Sequence, residues 1–132
     1  MIRLSDVVFV VNDGRFDKCW GCQHLPYPFT GVFPVLLVRT SYNKEGPWLL
    51  SEVLDDFVPY GYILALQDLR GRHKSEGTGQ YFHVVNDTAG TDGYDTIEWL
   101  AEQSWCNGRV GMIGSSHLSL TQTLSLIHIS EP

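Results

Sequence analysis

A chain of 132 residues has room for one hydrophobic core and not two. With 43% hydrophobic and 18% charged residues it reads as a folded globular protein, not a disordered one. Nine basic against fifteen acidic residues leave a net charge of −6, which disfavours nucleic acid and anionic membrane as partners, since both demand a positive field. No apolar run approaches the ~20 residues of a membrane span. Met1-Ile-Arg-Leu-Ser-Asp6 lacks the basic segment and long apolar segment of a secretory signal. Three cysteines, an odd count, point to a reducing compartment, so the expected location is the cytoplasm.

In chain order, Val7-Val-Phe-Val-Val11 is β-branched and aromatic, and Asn12-Asp13-Gly14 follows at once. This predicts a hairpin in which 7–11 pairs antiparallel with about 15–20. Cys19-Trp-Gly-Cys22 with His24 has the spacing of half a zinc site or of a redox dithiol. Zinc would need a second ligand pair, and Cys106 stands alone. A redox dithiol belongs at a helix N-terminus, whereas Leu25-Pro26-Tyr27-Pro28 follows here. Neither a metal nor a cofactor is expected.

Pro34 opens a buried-type strand, Val35-Leu-Leu-Val38, which Arg39-Thr-Ser-Tyr42-Asn-Lys44 closes. Val53, Leu54 and Phe57 have helical spacing over 51–57, and Pro59 ends that segment. A third strand, Tyr62-Ile-Leu-Ala-Leu66, runs into a polar loop from Gln67 to Gly77. Arg70, Arg72 and Lys74 in that loop suggest a phosphate site, with Gly77-Thr-Gly79 beside them. Neither nucleotide fingerprint is present, and no helix opens directly after the glycines. A small doubly wound module that binds a phosphorylated ligand without catalysis is therefore the alternative to an enzyme.

Asp92 is the predicted N-cap of the next helix, with Asp95 in a box-like position three residues on. Tyr94, Ile97, Leu100 and Ala101 form its predicted buried stripe, and it ends before Trp105-Cys-Asn-Gly108. Val110 to Ile113 is the last predicted strand. Strands alternating with helices after a hairpin imply an α/β fold. Its sheet is mostly parallel, with helices on both faces and an antiparallel pair at one edge. Active sites in such sheets lie beyond the C-terminal ends of the strands. That rim carries Tyr42, the 68–77 loop and Ser116.

The last strand stops abruptly at Gly114-Ser115-Ser116, the sequence form of a nucleophile elbow. The chain turns so sharply there that a serine hydroxyl projects from the sheet, and flanking positions must be small. Ser116 is the candidate nucleophile, although Leu118 leaves the G-x-S-x-G pattern incomplete. Beyond it Leu118, Leu120, Leu124 and Leu126 alternate with Ser119, Thr121, Thr123 and Ser125. This period of two predicts no helix where an elbow needs one.

Four blocks precede the elbow in order: 33–44, Gln67-Asp-Leu-Arg-Gly-Arg72, Ser75-Glu-Gly77 and Asp92-Gly-Tyr-Asp-Thr-Ile-Glu-Trp-Leu100. Together with Trp105 to Ser116 they closely resemble the X-prolyl dipeptidyl-peptidase and cocaine-esterase-like hydrolases, over about residues 33–122. The resemblance implies an α/β-hydrolase whose Ser-His-Asp triad cleaves a small-molecule ester or a short peptide. It implies Ser116 as nucleophile, the Tyr42 hydroxyl as one oxyanion donor and the backbone N–H of His117 as the other. Three positions depart from the family pattern: Ser41 replaces a proline, His117 a tyrosine and Ser119 a glycine. Residues 15–29 match it poorly. Neighbouring side chains on a sharp turn diverge, so the His117 ring is not expected to act as base for Ser116.

In this fold the triad runs Ser, Asp, His. No aspartate follows Ser116, and the only later histidines are His117 and His128. His128 lies in Leu124–Pro132, which looks like translated adapter sequence. The expected organisation is residues 1–123 as the N-terminal part of a hydrolase catalytic domain and 124–132 as a non-native tail. The whole would be the inactive front of a serine acyl hydrolase, cut just after its nucleophile.

Overall fold

The computed structural model describes residues 7–10, 31–47, 56–57, 60–78 and 87–127. Four strands, β1 (Val7–Val10), β2 (Phe33–Thr40), β3 (Ile63–Asp68) and β4 (Cys106–Met112), form one sheet in the order β1-β3-β2-β4. β1 runs antiparallel to β3, while β2 is parallel to both β3 and β4. Helix α1 spans Asp87–Ala101 and α2 spans His117–Ile127. The predicted hairpin partner at 15–20 lies outside the described residues, as do Cys19, Cys22 and His24. So does the predicted 51–57 helix apart from 56–57, which are helical.

The central strands are continuous apolar runs because they are covered on both faces. β3 is buried throughout. Alternation along the pleat sends Val35, Leu37, Ile63 and Ala65 into one cluster with Leu100, Trp105 and Cys106. Val38, Leu64 and Leu66 enter a second cluster with Leu118, against which Tyr42 and Ile113 pack. The two described helices also pack against one another. Parallel pairing sets Thr40 opposite Asp68, so the ends of β2 and β3 open onto the same rim.

Three expectations need correction. Helix α1 begins at Asp87, five positions ahead of the predicted cap, so Asp92 is an interior residue. Its carboxylate is taken by Arg70 from the loop after β3. Gly90 and Gly93, which weaken a helix in isolation, are buried here, and Tyr94 faces outward. The fully buried stripe is therefore Gly90, Gly93, Thr96 and Leu100, while Ile97 packs against the core as expected.

Strand β4 begins at Cys106, ahead of the predicted Val110, because its backbone pairs with β2 from Phe33 onward. The Phe33 N–H also donates to the Trp105 carbonyl at 2.9 Å. Residues 117–127 are helical despite their period-two pattern. The Thr121 and Thr123 hydroxyls donate to the carbonyls of Leu118 (2.8 Å) and Ser119 (3.1 Å), bonds that are compatible with helix. Thr121 also lies 3.2 Å from the Arg39 carbonyl, which docks α2 on β2. Packing of His117, Leu118 and Thr121 thus overrides weak local propensity. The helix continues through Ile127, into the stretch expected to be a tail.

Candidate active site

The rim where β2 and β3 end is built first from backbone bonds. The Leu69 N–H donates to the Thr40 carbonyl (2.9 Å), and the Tyr42 N–H donates to Thr40 Oγ1 (2.9 Å). Asn43 adopts a left-handed φ of 86°, where asparagine is tolerated, and its side-chain oxygen accepts the Glu45 N–H at 3.1 Å. Asp68, at the end of β3, accepts the Lys44 N–H at 2.8 Å and has the Lys44 ammonium 3.7 Å from its other oxygen. Both side chains are buried, so this carboxylate pins the 41–46 turn from beneath. From outside, Lys74 Nζ reaches Glu45 at 2.7 Å, and His73 Nε2 lies 3.1 Å from the Ser41 carbonyl.

The second part of the site is the corner after β4. The Ile113 N–H still donates to Leu37 (3.2 Å), and then the chain breaks away from the sheet. A Cβ at Gly114 would stand 2.4 Å from Leu118 Cβ and 2.9 Å from Gln122 Nε2, so only glycine fits. Gln122 Nε2 donates to the Gly114 carbonyl at 3.3 Å, holding the corner against the second turn of α2. Ser116 has a φ of 55°, unusual for a residue with a Cβ, and is exposed. The helix opens at the next residue, with the Ser119 N–H donating to the Ser116 carbonyl at 3.0 Å. Ser119, where the family pattern has glycine, is exposed and makes no demand on this packing.

His117 turns the other way from Ser116 and is buried, 4% exposed. Its Nδ1 lies 3.2 Å from Ser41 Oγ in a hydrogen bond, and its ring meets Tyr42 edge-on at 5.9 Å. Burial holds the imidazole pKa below its usual value, which favours the neutral ring. The structure therefore brings Tyr42 and residue 117 into contact, with Ser116 next in the chain, exposed where His117 is buried. The two departures from the family pattern at Ser41 and His117 bond to each other.

Two of the three cations of the 68–77 loop are engaged by carboxylates. Arg70 makes a two-pronged pair with Asp92, and Lys74 is held by Glu45. Among the described residues no group of three His, Cys, Asp or Glu side chains gathers as metal ligands. No helix there is long and apolar enough to cross a membrane. Lys44, Asp68 and His73 were not singled out from the sequence. Lys44 and Asp68 are 24 positions apart, and no motif joins them.

A family model described as X-Pro dipeptidyl-peptidase (S15 family) matches residues 25–130. The chain belongs to this family. Within the X-Pro dipeptidyl-peptidase family's wider kinship it is 43% identical over 95 residues to the cocaine esterase of Rhodococcus sp. (strain MB1 Bresler). That match covers 70% of this chain and 16% of the esterase. Among solved structures, an alpha-amino acid ester hydrolase superposes with a TM-score of 0.62 at 33% identity, covering 75% of this chain and 19% of that one. An aminopeptidase from the marine sediment archaeon Thaumarchaeota archaeon gives 0.60 at 30% identity, over 74% and 19%. A CocE/NonD family hydrolase from Staphylococcus aureus gives 0.59 at 29%, over 70% and 19%. The fold is thus of the α/β-hydrolase type, as the motif blocks implied, and the chain spans about a fifth or less of these relatives' length.

Proposed function

We propose that this chain carries the nucleophile and the oxyanion-binding half of a serine acyl hydrolase acting on small-molecule esters or short peptides. The observation that supports it most is the corner at Ser116: an exposed hydroxyl on a left-handed backbone between β4 and α2, beside the Tyr42–His117 contact. In this reading Ser116 Oγ attacks the carbonyl carbon and gives its proton to a histidine base, leaving a tetrahedral intermediate. Negative charge then builds on the former carbonyl oxygen. The Tyr42 hydroxyl and the His117 N–H donate to it, and His117 opens α2, whose positive end favours that charge. Each such donor contributes roughly 2.7–4 kcal/mol of barrier lowering.

Among the described residues after Ser116 none offers the acid or the base of the triad. No aspartate follows, the His117 ring is engaged by Ser41, and His128 and Glu131 lie outside the described residues. The 132 residues alone are therefore inactive in this reading. Expressed by themselves they neither turn over an aryl ester nor label with an activated phosphonate; strong labelling that vanishes in Ser116→Ala overturns the inactivity. Catalytic competence is tested in a graft, with this chain in place of the matching stretch of the Rhodococcus cocaine esterase. The graft hydrolyses an aryl ester, and Ser116→Ala lowers kcat by at least ~10³-fold. Retained activity in that variant refutes the assignment. Phosphate binding has less support, since Arg70 and Lys74 already face carboxylates.

A further inference from the structure

Ser41 and His117 lie 76 positions apart, one at the exit of β2 and the other at the first residue of α2. Both are buried, at 1% and 4% exposure, and their side chains share one hydrogen bond. We propose that Ser41 and His117 are positioning residues whose mutual hydrogen bond holds the two oxyanion donors, the Tyr42 hydroxyl and the His117 N–H, at a fixed separation. The inference rests on the reading of Tyr42 and His117 as those donors.

The reason lies in what each neighbouring bond does and does not fix. Thr40 and Asp68 hold the 41–46 turn to the strand ends, and His73 meets the Ser41 carbonyl, so all three act within the β2–β3 side of the rim. Gln122 holds the corner to its own helix. Thr121 ties α2 to the Arg39 carbonyl one turn further along, and Leu118 packs the first turn into the core through non-directional apolar contact. The Ser41–His117 bond crosses from the turn to the helix start at the level of the donors. The Tyr42 ring rests edge-on against the same imidazole, so displacing that ring moves the phenol as well. A buried imidazole kept neutral by desolvation suits a hydroxyl partner and needs no counter-ion. Oxyanion donors must be held to within about 0.5 Å to be effective, a tolerance that a direct bond across the gap is suited to keep.

The test uses kinetics of the full-length graft. Ser41→Ala lowers kcat about tenfold with KM little changed, the size of one buried hydrogen bond. Ser41→Thr, which keeps a hydroxyl, restores the rate. His117→Phe, which keeps a ring but has no Nδ1, loses about as much as Ser41→Ala, and the two together lose no more. In a Tyr42→Phe background, where no phenol remains to be placed, Ser41→Ala adds less than about twofold. Fully additive losses in either combination overturn the proposal, as does an unchanged kcat in Ser41→Ala while Tyr42→Phe remains impaired. Loss of folded Ser41→Ala protein by circular dichroism also overturns it, because the bond is then structural. If Tyr42→Phe itself leaves kcat unchanged, the donor assignment has failed first.

Discussion

At Ser116 the backbone is left-handed with φ 55°, a conformation that costs a residue with a Cβ roughly 1–2 kcal/mol. Such a cost persists only where surrounding packing dictates the turn, and here Gly114 supplies the reason. With only 2.4 Å between Leu118 Cβ and the place a Cβ would take at position 114, the chain leaves β4 so close to α2 that the next residues have one route outward. Gly114→Ala is expected to lower the stability of the graft by roughly 1–3 kcal/mol through overpacking, and to reduce kcat because the corner must shift. Gly108 provides the control: it has φ +82° but no atom within 4 Å of a Cβ, so Gly108→Ala incurs only the backbone penalty of roughly 1–2 kcal/mol. Thermal unfolding and aryl-ester kinetics check both; equal kcat losses would mean that the Gly114 contact has no special bearing on the site.

Between elements, α1 is joined to the sheet by polar bonds as well as by Leu100. Buried Arg39 donates to Gln67 Oε1 at 2.9 Å, Gln67 Nε2 donates to Thr96 Oγ1 at 3.0 Å, and Thr96 Oγ1 lies 2.6 Å from the Asp92 carbonyl. Burial lowers the Arg39 pKa to about 10, with Asp92 opposing the shift, so the guanidinium is still charged at neutral pH. A charge held in the interior requires its partners to be satisfied. Thr96→Val keeps the shape and removes the acceptor of the buried Gln67 amide, so it is expected to destabilise the graft by roughly 1–3 kcal/mol. Thr96→Ser should recover most of that. Unfolding midpoints that match for Val and Ser would show that the hydroxyl is dispensable.

For the whole molecule, β4 stands at the end of the described strand order, and much of it is exposed, as is Leu120 on α2. A strand edge left unpaired and an exposed apolar side chain both favour association. The 132 residues by themselves are expected to elute as aggregates on size exclusion, and a soluble monomer with a sharp cooperative melt would contradict this. From sequence alone the central strands, the Gly-x-Ser corner and the family blocks were legible. Burial on both faces writes strands as unbroken apolar runs, and a tight corner admits few residue types. The start of α1, the first half of β4 and the whole of α2 were decided by tertiary structure. Gly90 and Gly93 oppose helix until tertiary packing buries them, Cys106 to Gly108 are strand only because β2 lends its backbone, and 117–127 become helix once His117, Leu118 and Thr121 are buried. The Lys44–Asp68 and Ser41–His117 pairs belong with these. Local sequence records what each residue prefers, whereas a bond between positions 24 or 76 apart exists only after the chain has brought them together.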